Sequence, residues 1–210
     1  MIYCFYSVFS VYFVNMGDDI HAELKKLLNE RIVVLDGAMG TTIREYGLDE
    51  VAARGERFKA IKKDILNNGD ILSITQSDVI GDIHRKFFEA GSDIASTNTF
   101  SATTLAQSEF FVDDPRETGK GVKDQEFFQK IIEDNFLREL TWEMNYKSAQ
   151  LCRKWADRAS NNCGIKKYVA GSIGPLTVSL SQSPDAEDAA FRMVNFNQVV
   201  DAYIHQIEAL

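Results

Sequence analysis

The sequence has no excess of positive charge, no paired cysteines, no apolar run of membrane-spanning length and no phosphate-binding glycine loop. Lysine and arginine number 23 against 31 aspartates and glutamates, a formal net charge of -8. That balance argues against nucleic acid as a partner, because proteins that grip a phosphate backbone carry basic patches. The Lys166-Lys167 pair is a modest exception. Cys4, Cys152 and Cys163 are an odd count without C-x-x-C spacing, which argues against a disulfide framework and a zinc ribbon and fits a reducing, cytoplasmic setting. Residues 1–14 are uncharged and carry six aromatics, but a spanning helix needs roughly 20 apolar residues. No basic segment or small-residue cleavage site marks a secretory signal. Membrane association is therefore not expected, and translation is expected to start at Met16. Met16-Gly17 is not a myristoylation signal, because His21 stands where Ser or Thr is required.

What is present describes a globular chain, 45% hydrophobic and 26% charged over 210 residues. Residues 1–30 read as a leader and an N-terminal helix, and residues 31–210 as one domain. Beyond the leader, short apolar runs alternate with amphipathic stretches, the pattern of strand-helix units around a parallel sheet. Four such units can be read, with strands at 32–35, 70–74, 93–97 and 168–172. Ser77 is a candidate N-cap for a helix whose apolar stripe runs from Val79 to Phe88, with Gly91 as its C-terminal stop. Residues 113–125 read as a solvated loop, 126–159 as one long helix, and 196–210 as a final helix. A doubly wound sheet and an eight-stranded barrel both satisfy this α/β alternation.

In either fold the working residues gather at the carboxyl ends of the strands. Leu35-Asp36-Gly37-Ala38-Met39-Gly40 is the most informative such segment, with a carboxylate at a strand terminus and two glycines after it. Asp36 could cap the next helix beside a tight turn. Alternatively it could pair with an ammonium while backbone N–H groups near Gly37 and Ala38 receive a carboxylate, forming a site for a zwitterion. The segment has no lysine in the phosphate-loop position and no G-x-G-x-x-G, which argues against a nucleotide.

Three separated runs, RIVVLDGAMGTTI at 31–43, GDILSITQSDVIGDIHRKFFEAGSDIASTNTF at 69–100 and KYVAGSIGPLTVSLSQSP at 167–184, resemble in order and spacing one known family. It is the homocysteine S-methyltransferase family, and in particular the N-terminal homocysteine-binding domain of cobalamin-dependent methionine synthase. The resemblance covers about residues 31–210 and is weakest over 110–140. It implies the first half, about four βα units, of a (β/α)8 TIM-type barrel that binds homocysteine. It further implies zinc, cobalamin and downstream folate- and cobalamin-binding modules. On that basis Asp36, with the backbone at Gly37 and Ala38, would hold the substrate's amino acid end, and Asn98 and Thr99 would line the mouth. Zinc in such enzymes lowers the pKa of a thiol that is ordinarily about 8.5, so that its sulfur can attack a methyl group.

Departures from the family pattern bear on this expectation. Ser96 stands where the family usually has Glu, and Leu176 where it has Thr. The family's three zinc cysteines lie in the second half of the barrel, and Cys4, Cys152 and Cys163 do not take their place, so neither a catalytic nor a metal residue is assigned within this chain. Asp82-Ile83-His84 begins like the cobalamin-binding Asp-x-His-x-x-Gly pattern but has Phe87 in place of Gly. Two function classes follow. One is a homocysteine methyltransferase, with betaine-using and other thiol methyltransferases as close alternatives. The other is a non-catalytic half barrel whose open sheet edges favour self-association.

Overall fold

The structure is a computed structural model, and it describes residues 18–210 apart from 118 and 120. The leader expected over residues 1–15, and with it Cys4 and the Met16 start, falls outside the described residues. The described residues fall into two units, 18–34 and 35–210. In the first, the amphipathic helix α1 spans Asp18–Glu30, with a Lys26–Glu30 ion pair at 4.0 Å.

The second unit begins at Leu35, which forms a single parallel bridge to Ile94. Helices α2 (Met39–Glu45) and α3 (Glu50–Arg54) follow. The expected strand at 70–74 is a correction: Gly69–Ile71 is a 3₁₀ turn that runs into the short helix α4, Leu72–Thr75. Its backbone is satisfied locally, with the Gln76 N–H donating to Leu72 O at 2.8 Å, not by a ladder. Ile71, Leu72 and Ser73 are all buried, and a short apolar run bears the same signature in a buried strand and a buried helical turn.

Helix α5 spans Ser77–Glu89. Ser77 is its first residue and not its cap; Gln76 holds the cap position without a side-chain bond. At its other end the expected stop is present. The Gly91 N–H donates to Phe88 O and the Ser92 N–H to Phe87 O, with Gly91 at φ +109, the paired bonds of a Schellman turn. That turn delivers the chain into β1, Ile94–Ser96.

After α6 (Thr104–Phe111), the expected long helix is two, α7 (Gln125–Glu133) and α8 (Asn135–Cys163). Asp134 separates them, because its carboxylate accepts the Leu137 N–H at 2.8 Å and starts a new helix. The loop between α6 and α7 is tied down and does not simply lie in solvent. Lys123, only 9% exposed, meets both Glu109 oxygens at 3.0 Å and Asp114 at 3.4 Å.

The chain then enters β2, Tyr168–Ala170, which pairs parallel with β1 in the register Ile94 to Tyr168 and Ser96 to Ala170. It ends in α9, Phe196–Ala209, with a reciprocal capping box between Asn195 and Gln198. Among the described residues the parallel array therefore has two strands and one bridging segment, not four strands. Helix α8 packs across α4, α5 and α9, and Phe88, Ala95, Cys152 and Ala156 form a core cluster with β1. No helix among the described residues is long and apolar enough to cross a membrane.

Candidate functional site

Parallel pairing brings three chain ends together: Asp36 to Ala38 beyond the bridging segment, Thr97 to Thr99 beyond β1, and Ser172 to Gly174 beyond β2. The Asp36 N–H donates to Ile94 O at 2.9 Å, which fixes this residue beside β1. Its carboxylate accepts the Ser96 N–H at 2.8 Å and the Ser96 hydroxyl at 3.0 Å. Asp36 is not the cap of α2, since Ala38 holds that position without a side-chain bond. Burial pushes the Asp36 carboxyl above its ordinary value, against the lowering effect of the two Ser96 bonds.

Gly37 and Ala38 are exposed. Gly37 lies so close to the Phe87 ring that a Cβ there would stand 2.8 Å from Phe87 Cε1. Asn98 and Thr99 are buried and their side chains tie the site together. The Asn98 amide donates to Gly69 O at 2.8 Å and Ser73 Oγ at 3.1 Å, while its N–H donates to Ser148 Oγ. The Thr99 hydroxyl donates to Ser172 O at 2.8 Å and lies 2.6 Å from Thr97 Oγ1, which accepts the Ser172 N–H. The Gly174 N–H donates to Phe100 O, and the Tyr203 hydroxyl to Gly174 O.

The structure thus gathers Asp36, Gly37 and Ala38 against the end of β1, and uses Asn98 and Thr99 to join that end to its neighbours. Sequence reasoning flagged Ser96 only as a departure from a pattern; its role as the partner of Asp36 depends on a contact sixty residues apart in the chain. Ser172 and Thr97 were missed as well. Their signal was available, since both fall in the predicted runs at 93–97 and 168–172.

Cys152 lies buried under β1, its thiol directed at Ala95 O at 3.7 Å. Burial first and the Asp36 charge second push it up to about 12, so it stays a protonated thiol. Cys163 is exposed as the last residue of α8. His84 is fully buried in α5 with neither ring nitrogen hydrogen-bonded, His205 contacts Arg138 O at 2.9 Å, and His21 is exposed in α1. Among the described residues no three of His, Cys, Asp and Glu are grouped to hold a metal. His84, sealed in the core, could not reach a cobalt ion without the helix opening. The described residues therefore do not fit zinc or cobalamin. A cleft of about 650 Å³ between Arg153, Asp157, Ser160 and Lys166 lies at the amino end of β2, away from Asp36.

Comparison with known proteins bears on this arrangement. Residues 33–210 match the family described as Homocysteine S-methyltransferase. Two crystal structures of the homocysteine methyltransferase MmuM from Escherichia coli are similar to the chain. The metallated form has 21% identity over 72% of this chain and 41% of that one, with a TM-score of 0.46. The oxidized form has 19% identity over 89% of this chain and 53% of that one, with a TM-score of 0.48. The chain thus spans about half the length of these structures.

Proposed function

The chain belongs to the homocysteine S-methyltransferase family, and we propose that residues 31–210 form the homocysteine-holding part of a methionine synthase barrel. The single observation that carries the reading is the Asp36 carboxylate, fixed by Ser96 at the gathered strand ends of a chain matched to this family from residue 33. In this reading Asp36 pairs with the substrate ammonium, and the exposed backbone at Gly37 and Ala38 receives its carboxylate. Asn98 and Thr99, held by Gly69, Ser73 and Ser172, give the mouth a fixed outline. The bridging segment, β1 and β2 are the opening strands of the eight-stranded barrel.

The finer proposal is a zinc-dependent cytoplasmic enzyme that methylates homocysteine to methionine from methylcobalamin and methyltetrahydrofolate. In this reading its metal site belongs to the second half of the barrel, and its cobalamin and folate sites to further modules. What favours a purely substrate-holding role for the residues described here is the scatter of their cysteines and histidines. A betaine-using or other thiol methyltransferase of the same family would share this substrate half.

Calorimetric titration of homocysteine into the protein, with and without added zinc, tests this. Binding is expected in the unaltered protein, and Asp36→Asn is expected to weaken it by roughly tenfold to a hundredfold, the range for a hydrogen bond to a charged group. Equal binding by the variant would sink the assignment of Asp36. No binding by the unaltered protein under either condition would sink the homocysteine reading.

A further inference from the structure

Asp70 is a buried carboxylate that the proposed site does not use, and it stands where α4 grips the end of β1. It is 7% exposed, and its partners are backbone groups: Oδ2 accepts the Ser101 N–H at 3.0 Å, and the carboxylate also accepts the Phe100 N–H. Its neighbours continue the same grip. Gly69 O and Ser73 Oγ take the Asn98 amide, and Gln107, itself bonded to Asn68, donates to Ser101 O at 3.0 Å. On its far side the turn is held by Gly174, whose N–H donates to Phe100 O at 3.0 Å.

Burying a carboxylate opposes folding unless the group does work that a neutral residue cannot. Burial raises the Asp70 carboxyl to about 6 in spite of its two N–H donors. A carboxylate offers two oxygens and about four lone-pair directions, enough to satisfy two adjacent N–H groups that turn the same way. A Ser or Thr hydroxyl also has lone pairs, but it reaches less far and needs a place for its own proton. The chemistry therefore fits a clamp on the 98–101 turn.

We infer that Asp70 is a positioning residue for the homocysteine site, holding the turn that carries Asn98 and Thr99 through the Phe100 and Ser101 N–H groups. The inference rests on the homocysteine reading for its effect on binding, but not for the clamp itself.

The test measures homocysteine affinity and amide hydrogen exchange at Phe100 and Ser101 on the full chain. Asp70→Ala leaves both N–H groups without an acceptor, so affinity is expected to fall about tenfold, with faster exchange at these two amides. Asp70→Asn keeps one acceptor oxygen, so about a threefold fall and partial protection are expected. Asp70→Ala that folds, binds homocysteine as the unaltered protein does and keeps slow exchange would overturn the inference. Should Asp70→Ala not fold, Asp70→Asn decides: a partial loss supports the clamp, and unchanged affinity with unchanged exchange overturns it. If the unaltered protein takes up no homocysteine, the reading of the site has failed, and the exchange rates alone still decide the clamp.

Discussion

Ser96 gives the Asp36 carboxylate two hydrogen bonds at once, from its N–H at 2.8 Å and from its hydroxyl at 3.0 Å. The position where the resembling family usually carries a second carboxylate therefore holds, in this chain, the donor that steadies the first. Two acids so close would not both ionise readily, whereas an acid and a hydroxyl settle into one state.

Ser96→Ala keeps the N–H bond and removes the hydroxyl bond. It is expected to cost about 1 kcal/mol at neutral pH. Because the hydroxyl favours the charged carboxylate, the difference from the unaltered protein should narrow as the pH falls through the folded carboxyl's own value, which burial holds above the ordinary 3.8. Urea unfolding at pH 7 and pH 3 checks this; a deficit equally large at both would contradict it. Ser96→Glu should cost more than Ser96→Ala at pH 7, since it sets two negative charges at one site.

Gly174→Ala is expected to destabilise by about 3 kcal/mol, because a Cβ there would collide with the Phe100 carbonyl oxygen, a backbone atom that cannot step aside. Gly37→Ala meets the edge of the Phe87 ring instead, and a side chain can turn, so its cost should be nearer 1 kcal/mol. Parallel urea melts of the two variants rank them, and the reverse order would refute the argument.

Two buried groups oppose one another in acid. His84 is held down to about 4 by burial, from 6.5, so the unfolded chain binds the extra proton and stability falls as the pH drops from 6.5 towards 4. Asp70 is raised to about 6 from 3.8, so the folded chain binds the extra proton and stability rises as the pH drops from 6 towards 3.8. Each effect is of order 3 kcal/mol, so they nearly cancel between about pH 4 and pH 6. His84→Leu removes one side of the balance and orphans no partner, since neither ring nitrogen is hydrogen-bonded among the described residues. The variant should be more stable at pH 5 than at pH 7, read from urea midpoints; a loss on acidification would refute this.

Lys123→Met would leave Glu109 and the nearly buried Asp114 without their shared cation, although Arg116 still pairs with Asp114. The expected cost is about 2 kcal/mol, with faster proteolytic nicking between residues 112 and 124. Limited proteolysis followed by mass measurement reads the cut, and an unchanged rate would show that the loop holds without the ion network.

Elements with strong local grammar were legible in the sequence: α5 with its glycine stop, the two parallel strands and α9. The misreadings fall where a local pattern has two meanings. Residues 70–74 are apolar enough for a strand, but burial on every side of a helical turn makes the same pattern. The long apolar spacing past residue 126 hides the break at Asp134, which an Asp followed by a helix-forming run could have signalled. For the site, Asp36 could be found because strand ends gather function. Its engagement with Ser96, and the clamp at Asp70, join residues 60 and 31 positions apart, and no local window contains both partners.

Among the described residues Ile94 alone bridges in both directions, to Leu35 behind it and to Tyr168 ahead. During synthesis its first neighbour is already made, but the second emerges 74 residues later, after the whole of α8. The central strand must wait, half-paired, while the helix that will cover it is being extruded, and pairings of such sequence separation form slowly. That interval is when an exposed edge is open to capture by the wrong chain, so the elongation rate through residues 97–168 should govern how much of this protein reaches its folded state.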